Sequence, residues 1–126
     1  MTDKSVCKID EFGNKFWWLG KKRHREDGPA VEHTDGSKMW FINDKYHRVD
    51  GQALEEDDGS RYWMQNGKYH REDGPAITFP DNDKESPYWY INGRRLYPEK
   101  TIKNKKLQAK YPRLIESMII HLVHNS

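Results

Sequence analysis

Three clusters of chemically capable side chains recur along the chain, each holding a histidine, an arginine and an aspartate within four residues. HREDGPA occupies residues 24–30 and again 70–76, and HRVDGQA occupies residues 47–53. Histidine transfers protons near neutral pH, aspartate can orient it, and both can bind metal ions. The clusters allow two hypotheses: a chemical site present three times, or a structural unit repeated three times.

A metal site shared by the histidines is excluded by distance if the copies form neighbouring hairpins of one sheet. Equivalent residues would then lie two strand spacings apart, about 9.5 Å. Neighbouring ligand atoms around one zinc ion are only about 3.5 Å apart. The single cysteine, Cys7, does not complete a ligand set. The sequence therefore predicts no metal and no cofactor.

Catalysis is disfavoured because an active site needs one set of residues with different roles, not three equal copies. We expect each histidine to stack on a cross-strand tryptophan, and each aspartate to hold the Gly-Pro turn that follows it. No catalytic residue is predicted. A small enzyme that uses one His–Asp pair is the least favoured alternative.

The clusters are part of a longer repeat with a period of 23 residues. The same step separates three histidines, three tryptophans and three glycines: His24, His47 and His70; Trp17, Trp40 and Trp63; Gly28, Gly51 and Gly74. A half copy lies at residues 9–14. A partial fourth copy begins at Tyr88, after a three-residue insertion within residues 81–86. Residues 1–97 are therefore interpreted as one repeat domain, and residues 98–126 as a separate basic linker and helix.

Turn residues predict the local structure of each repeat. Asn66-Gly67 and Asn92-Gly93 are typical of two-residue type I′ hairpin turns, and Asp35-Gly36 and Asp58-Gly59 are interpreted in the same way. Short aromatic and β-branched runs lie between the turns. The sequence predicts a mainly β fold, an antiparallel meander of about eight short strands that ends in a C-terminal capping helix.

These turns also predict the register of the strands. One face would carry Leu54, Trp63 and His70, with Val31, Trp40 and His47 in the repeat before. The other face would carry Phe41, Tyr46, Met64 and Tyr69. Both faces are partly apolar, so at least one needs cover. We expect the helix over the tryptophans and an open aromatic surface on the other face, which binds a partner or a second copy of the chain.

Net charge divides the chain into two parts. Residues 1–93 contain 14 Lys and Arg against 18 Asp and Glu, whereas residues 94–126 contain 8 against 2. The tail is interpreted as a basic loop over residues 98–113, followed by an amphipathic helix that starts near Pro112. Lys103, Lys105 and Lys106 are candidate contacts with an acidic partner. Nucleic acid is the alternative partner, although the acidic repeats would repel a duplex.

The pattern Trp-x-x-Asn-Gly-Lys-x-His-Arg-x-Asp-Gly-x-Ala resembles the MORN class of β-hairpin repeats over about residues 8–97. It is most similar to the small HRxDGPA repeat proteins of tailed bacteriophages and bacteria. The second copy departs from the pattern, with Asn43-Asp44 and Gln52. The resemblance implies a non-catalytic scaffold for protein contacts, with lipid contacts or dimers in some members. A phage source implies a host protein as partner, for example one of a defence system.

Composition sets the expected location of the protein. The single cysteine fits a reducing cytoplasm. The N-terminus shows no apolar signal segment, and no apolar run is long enough to span a bilayer. The mean hydropathy is −1.15, but 13% of the residues are aromatic, which favours a folded protein over a disordered one. We expect a folded cytoplasmic protein, in the host cell if the source is viral.

Overall fold

The computed structural model describes residues 3–80 and 87–125, within which it has fourteen short strands and three helices. The strands are β1 (Val6–Ile9), β2 (Lys15–Leu19), β3 (Lys22–Arg23), β4 (Val31–Glu32), β5 (Lys38–Met39), β6 (Phe41–Ile42), β7 (Lys45–Tyr46), β8 (Leu54–Glu55), β9 (Arg61–Tyr62), β10 (Met64–Gln65), β11 (Lys68–Tyr69), β12 (Ile77–Thr78), β13 (Trp89–Ile91) and β14 (Arg94–Leu96). The helices are α1 (Pro98–Thr101), α2 (Lys105–Lys110) and α3 (Pro112–His124). The insertion predicted within residues 81–86 lies outside the described residues.

The predicted mainly β, antiparallel fold with a C-terminal helix is confirmed. The main sheet has the strand order β1-β2-β4-β5-β8-β9-β12, and β3 also pairs with β2. Three separate hairpins, β6-β7, β10-β11 and β13-β14, lie outside this sheet. The repeat between residues 31 and 53 contributes two strands to the main sheet and one hairpin outside it. The structure therefore has more strands than the eight predicted, and its strands are shorter than expected.

The predicted type I′ turns are confirmed by backbone angles. Asn66 and Gly67 have φ values of 52° and 77°, and Asn92 and Gly93 have φ values of 48° and 81°. The departing pair Asn43-Asp44 also takes positive φ at both positions. Positive φ is unfavourable for an aspartate, and a side-chain bond holds Asp44 in place: its Oδ1 accepts a hydrogen bond from Arg23 Nε at 2.6 Å. That bond lowers the pKa of the Asp44 carboxyl.

The Asp-Gly turns are longer than predicted. At Asp58-Gly59 the paired residues are Glu56 and Ser60, so the loop has three residues and ends in Gly59 with a φ of 94°. This is a type I turn with a glycine bulge. Asp58 Oδ1 accepts the N–H of Ser60 at 2.8 Å, which favours the bulged form over the two-residue one. The equivalent turn around Asp35-Gly36 has the same bonds.

The extra turn residue makes the predicted register wrong by one position. Leu54 pairs with Tyr62, not Trp63, and Val31 pairs with Met39, not Trp40. A shift of one residue exchanges the two faces of a strand. One face of the main sheet carries the row Phe16, Val31, Met39, Leu54, Tyr62 and Ile77. The neighbouring positions, on the other face, alternate in charge: Lys15, Glu32, Lys38, Glu55 and Arg61.

The hairpins form a second layer against the apolar row of the main sheet. Phe41 and Val31 are buried together, and Met39 and Tyr46 pack against them. The Tyr46 hydroxyl donates to Met39 Sδ at 3.7 Å. Farther along, the ring of Tyr69 lies 6.2 Å from that of Tyr62. The expectation that a helix or a partner must cover one face of a single sheet is therefore wrong, because each repeat folds back and covers the sheet itself.

The C-terminal segment caps the last repeat. Leu114 and Met118 of α3 bury Trp89 together with Tyr111, and Trp89 Nε1 donates to Ser117 Oγ at 3.3 Å. The helix thus covers the tryptophan of the partial fourth repeat, not the row of tryptophans as expected. Residues 98–113 are not a loop, since most of them belong to α1, α2 and the start of α3. Among the described residues, no helix has both the length and the hydropathy needed to cross a membrane.

Candidate protein-binding surface

The arginine of each His-Arg-x-Asp-Gly motif lies flat against the tryptophan of its own repeat. The guanidinium carbon is 3.9 to 4.1 Å from the centre of the indole ring, with Arg25 over Trp17, Arg48 over Trp40 and Arg71 over Trp63. Its Nη1 donates at 3.1 Å to the backbone carbonyl of the residue four positions later, which pairs Arg25 with Pro29, Arg48 with Gln52 and Arg71 with Pro75. Its Nε donates to the motif aspartate, in Asp27, Asp50 and Asp73. We call this arrangement the arginine clamp.

The motif glycine completes the clamp by leaving space for the guanidinium. A Cβ at Gly28 would lie 2.8 Å from the guanidinium carbon of Arg25, and the same distance is 2.9 Å at Gly51 and Gly74. Separations below 3.0 Å force the arginine to move. These glycines are therefore explained by a close approach. The guanidinium is held between an indole face and a backbone segment that has no side chain.

The histidine of each motif joins one repeat to the next. Its Nδ1 accepts the backbone N–H of the first residue of the following type I′ turn at 3.0 Å, which pairs His24 with Asn43, His47 with Asn66 and His70 with Asn92. An accepting Nδ1 leaves Nε2 as the ring donor. In the third copy, Nε2 faces Glu72 Oε2 at 2.9 Å. His24 and His70 are buried, so these links lie within the folded array.

These contacts show how the repeated motif is used within the fold. Each histidine, arginine and aspartate is engaged in the same way in three copies. Two details of the prediction are wrong: the arginine, not the histidine, lies on the tryptophan, and the aspartate holds the arginine, not its own turn. Cation–π contact and charged hydrogen bonds explain both, because a guanidinium satisfies the indole face and the carboxylate together. In residues 3–80 and 87–125, no three His, Cys, Asp or Glu side chains are grouped for metal binding.

The four predicted aromatic-face residues separate into two pairs. Phe41 and Met64 are buried within the chain, so the prediction that they form an open surface is wrong. They face the main sheet because the hairpins fold over it. Tyr46 and Tyr69 sit directly across from them in β7 and β11 and are half-buried. A partner contact for Tyr46 and Tyr69 stays a prediction.

Tyr46 and Tyr69 belong to a longer band of half-exposed rings at the junction of the two layers. We define the tyrosine row as Tyr46, Tyr62, Tyr69 and Tyr90. The ring centres of Tyr69 and Tyr90 are 5.1 Å apart, and those of Tyr62 and Tyr69 are 6.2 Å apart. Burial raises the pKa of the phenols of Tyr46 and Tyr62. Tyr46 and Tyr62 therefore present partly desolvated rings whose hydroxyls are protonated at neutral pH.

An acidic turn lies beside the tyrosine row. Glu56 is close enough to Tyr46 and Tyr62 to raise the pKa of both phenols further. Its own pKa is raised, first by burial and then by repulsion from Asp58 and Asp57. We call Glu56, Asp57 and Asp58 the acidic rim. Aromatic surface next to negative charge suits a partner segment that carries both apolar and basic side chains.

The predicted lysines lie on the C-terminal cap. Lys103 is in the turn after α1, and Lys105 and Lys106 form the first turn of α2; all three are exposed. They belong to an element that packs on α3, whereas the tyrosine row belongs to the repeats. The structure does not bring these lysines together with Phe41, Tyr46, Met64 and Tyr69 into one cluster. Whether they contact a partner stays a prediction.

Tyr62 and Tyr90 were missed by sequence reasoning. Tyr62 precedes Trp63, and the wrong register placed it on the face away from Leu54. The signal that identifies it is Ser60, which follows Asp58-Gly59 and whose N–H holds the bulged turn. With that turn in place, Tyr62 pairs with Leu54 and points toward the hairpin layer.

Two open clefts between successive His-Arg-x-Asp-Gly motifs are a second candidate surface. They have volumes of about 670 and 660 Å³ and separate successive arginine clamps. Trp63 lines the first cleft and Trp40 the second, and Val49, 75% exposed, lines both. The clamp arginines and aspartates that also line them are already bonded to each other. Lys110 and Arg113 of the cap also line the first cleft.

The chain was compared with protein-family models, with curated proteins and with solved structures, and none of them matches it.

Proposed function

We propose that this chain is a non-enzymatic protein-binding module whose partner lies along the tyrosine row. The observation that carries the proposal is the row of half-buried tyrosines on successive repeats, in which ring contacts join Tyr62, Tyr69 and Tyr90. Tyrosine is enriched at the energetic centres of protein interfaces, because its ring buries a large area and its hydroxyl can still bond. The rings are held by two packed layers, so little side-chain freedom is lost on binding.

The shape of the row favours an extended segment as the ligand. Tyr46, Tyr69 and Tyr90 belong to three successive hairpins, so a partner that contacts all three must cross the repeats. Equivalent hairpins are about 9.5 Å apart, the length of about three extended residues. The acidic rim at Glu56 favours basic residues in that segment. Enzymatic chemistry is not part of the proposal, since the repeated motif is fully used by the clamps and turn links.

The resemblance to HRxDGPA proteins of tailed phages supports a narrower form of the proposal. In that form the partner is a host-cell protein, met in the cytoplasm, whose activity is modulated or inhibited by binding. A defence protein is one such partner. This part rests on the resemblance alone and is tested by identifying the partner.

Nucleic acid is the second candidate ligand, because five exposed basic residues lie close together in the cap: Lys103, Lys105, Lys106, Lys110 and Arg113. Phosphate contacts would make binding steeply dependent on salt. Binding of a duplex or single strand that weakens by orders of magnitude between 50 and 200 mM salt would favour this candidate, as described for phosphate-binding proteins. Binding at the tyrosine row should change far less with salt.

The proposal is tested by capture from a lysate of the source cell with tagged wild-type protein and with a Tyr46→Ser, Tyr69→Ser variant. We expect a protein that the wild type retains and the variant loses. Because both tyrosines also touch the core, the Tyr46→Leu, Tyr69→Leu variant is run in parallel, since it keeps most of the packed volume. Tyr97→Ser is the matched control, because Tyr97 is 52% exposed and lies outside the row. Equal capture by all four proteins would refute the proposal.

A further inference from the structure

Within residues 3–80 and 87–125, the N-terminal end of the main sheet has an unpaired edge. There β1 is the terminal strand of the sheet order and pairs with β2 alone. The opposite end of the molecule is closed by α3, which packs on Trp89. Val6 and Ile9 of β1 are 59% and 63% exposed. Exposed edges with apolar side chains pair readily with further strands.

The backbone groups that face this open edge can be identified from the β2 pairing. Trp17, which lies opposite Cys7, donates its N–H to Ala30 and accepts from His24 with its carbonyl, both on the side away from β1. Cys7 therefore has no bond to β2, and in an antiparallel ladder its N–H and C=O point to the open side. Ile9 follows two residues later and has the same orientation. The edge offers donors and acceptors at Cys7 and Ile9, whereas the N–H of Ser5, the next residue on this side, already donates to Asp3 Oδ1 at 2.9 Å.

We propose that this edge binds β1 of a second copy of the chain, antiparallel and with a two-fold axis at Cys7. Charge selects this register. It places Lys8 opposite Val6 and, at the ends of the strand, Lys4 opposite Asp10 of the second copy, with each contact repeated by symmetry. The Asp10 carboxylate also accepts three hydrogen bonds within its own turn, so Lys4 would meet its negative charge without replacing those bonds. The registers shifted by one pair place Lys8 opposite Lys8 or opposite Lys4, and like charges directly opposite destabilise a sheet. The sequence Lys4 to Asp10 is thus complementary to itself in one register.

The dimer continues the main sheet of one copy into that of the other and closes the exposed edge. Strand β1 has only four residues, so the interface is smaller than the area that stable complexes bury, and we expect a weak, concentration-dependent dimer. In this register the two Cys7 Cα atoms would lie about 5.5 Å apart, the spacing of a hydrogen-bonded antiparallel pair. That distance is within the range that a disulfide spans. Cys7, which is exposed, is therefore a reporter of the register.

The test is sedimentation equilibrium of the purified chain under reducing conditions, over a wide concentration range, without any partner. We expect a reversible monomer–dimer equilibrium. Cys7→Pro should give a monomer that keeps the fold, because proline removes an N–H that faces the open side only. Lys8→Pro is the matched control that shows what a proline does when it breaks the pairing within one chain. The Lys8 N–H bonds to β2, so its loss should disrupt β1. Lys4→Glu should raise the dimer Kd about three- to tenfold, whereas Lys21→Glu, at an exposed turn, should leave it unchanged.

Oxidation of the wild type should convert the dimer into one species linked through Cys7, and Cys7→Ser should dimerise without forming it. A chain that stays monomeric at millimolar concentration would overturn the proposal. A dimer whose Kd is unchanged by Cys7→Pro would also overturn the proposal, because the dimer interface would then lie on another surface. Failure of this test leaves the proposed partner site at the tyrosine row unaffected, because that site is on a different part of each repeat.

Discussion

At the scale of single residues, the repeated motif makes the same structural contacts in all three copies. The arginine clamp satisfies an indole face, a carboxylate and a carbonyl with one guanidinium. Lysine could not replace it, because an ammonium group cannot lie flat between a ring and a glycine while donating in two directions. The histidine supplies a single acceptor to a turn N–H of the next repeat.

The close approach at Gly74 predicts a coupled effect on stability. Gly74→Ala should lower the free energy of unfolding by about 1–3 kcal/mol, because the new Cβ displaces Arg71 from Trp63. In an Arg71→Ala background the same glycine substitution should cost much less, since nothing then occupies that space. Urea unfolding of the four proteins in the cycle measures the coupling. Additive effects would show that the glycine serves another purpose.

The turn link made by His70 predicts loss of stability without loss of a specific activity. His70→Ala leaves the N–H of Asn92 without its acceptor and should cost about 1–3 kcal/mol. His47→Ala should act in the same direction but less strongly, because His47 is half-buried and His70 is buried. Thermal melting of both variants provides the comparison. An unchanged melting curve together with lost partner binding would contradict the structural role of the histidines.

Glu56 predicts a specific pH dependence. Its pKa is raised above the ordinary value of 4.5, so the folded state holds this proton more tightly than the unfolded state. Its contribution to stability is therefore greatest below pH 4.5 and declines as pH rises through the raised folded value. Glu56→Gln should be slightly more stable than wild type at pH 7, by no more than about 0.5 kcal/mol because solvent screens the site. Urea titrations at pH 7 and pH 4 should show the difference disappear at the lower pH; a constant difference would contradict it.

At the scale of elements, the sequence predicted the period, the type I′ turns and the C-terminal cap, because each depends on local chemistry. The Asn-Gly pairs require positive φ at both positions and adopt it. The register failed at Asp58-Gly59, where an aspartate side chain and the following serine N–H select a longer loop. Local pattern also could not show that each repeat folds back over the sheet. For that reason Phe41 and Met64 were expected outside and Tyr62 and Tyr90 were missed.

The buried face of α3 predicts a strongly destabilising substitution. Met118 of α3 is fully buried against Trp89, so Met118→Ala should lower the free energy of unfolding by about 2–5 kcal/mol. Ile119→Ala, on the exposed side of the same helix, is the control and should change stability by less than about 0.5 kcal/mol. Equal effects of the two substitutions would show that α3 does not pack as described.

At the scale of the whole molecule, net negative charge lies on the repeats and net positive charge on the cap. This separation gives the surface two regions that can attract different parts of a partner. The tyrosine row and the acidic rim belong to the first region, and the exposed lysines of α2 belong to the second. An open sheet edge at β1 adds a third surface at the N-terminal end, which the proposed dimer would occupy.

The lysines of the cap predict a kinetic effect. Replacing Lys103, Lys105 and Lys106 with glutamine should slow association with an acidic partner more than it speeds dissociation, because exposed charges act mainly by steering. Rates measured by surface-based binding at low and physiological salt would show the effect shrink as salt rises. Unchanged association rates at low salt would contradict a role of these three lysines in partner binding.

The most direct test of the central claim is the equilibrium Kd of the captured partner for variants of the two faces of the repeats. At the tyrosine row, Tyr46→Leu with Tyr69→Leu should weaken binding by at least about tenfold, since removing interface aromatics commonly costs more than 1 kcal/mol each. On the clamp side, Val49→Ser removes an exposed apolar side chain between the clefts and should leave the Kd unchanged. The reverse result, binding lost with Val49→Ser and kept with the tyrosine variant, would contradict the account and place the partner over the arginine clamps.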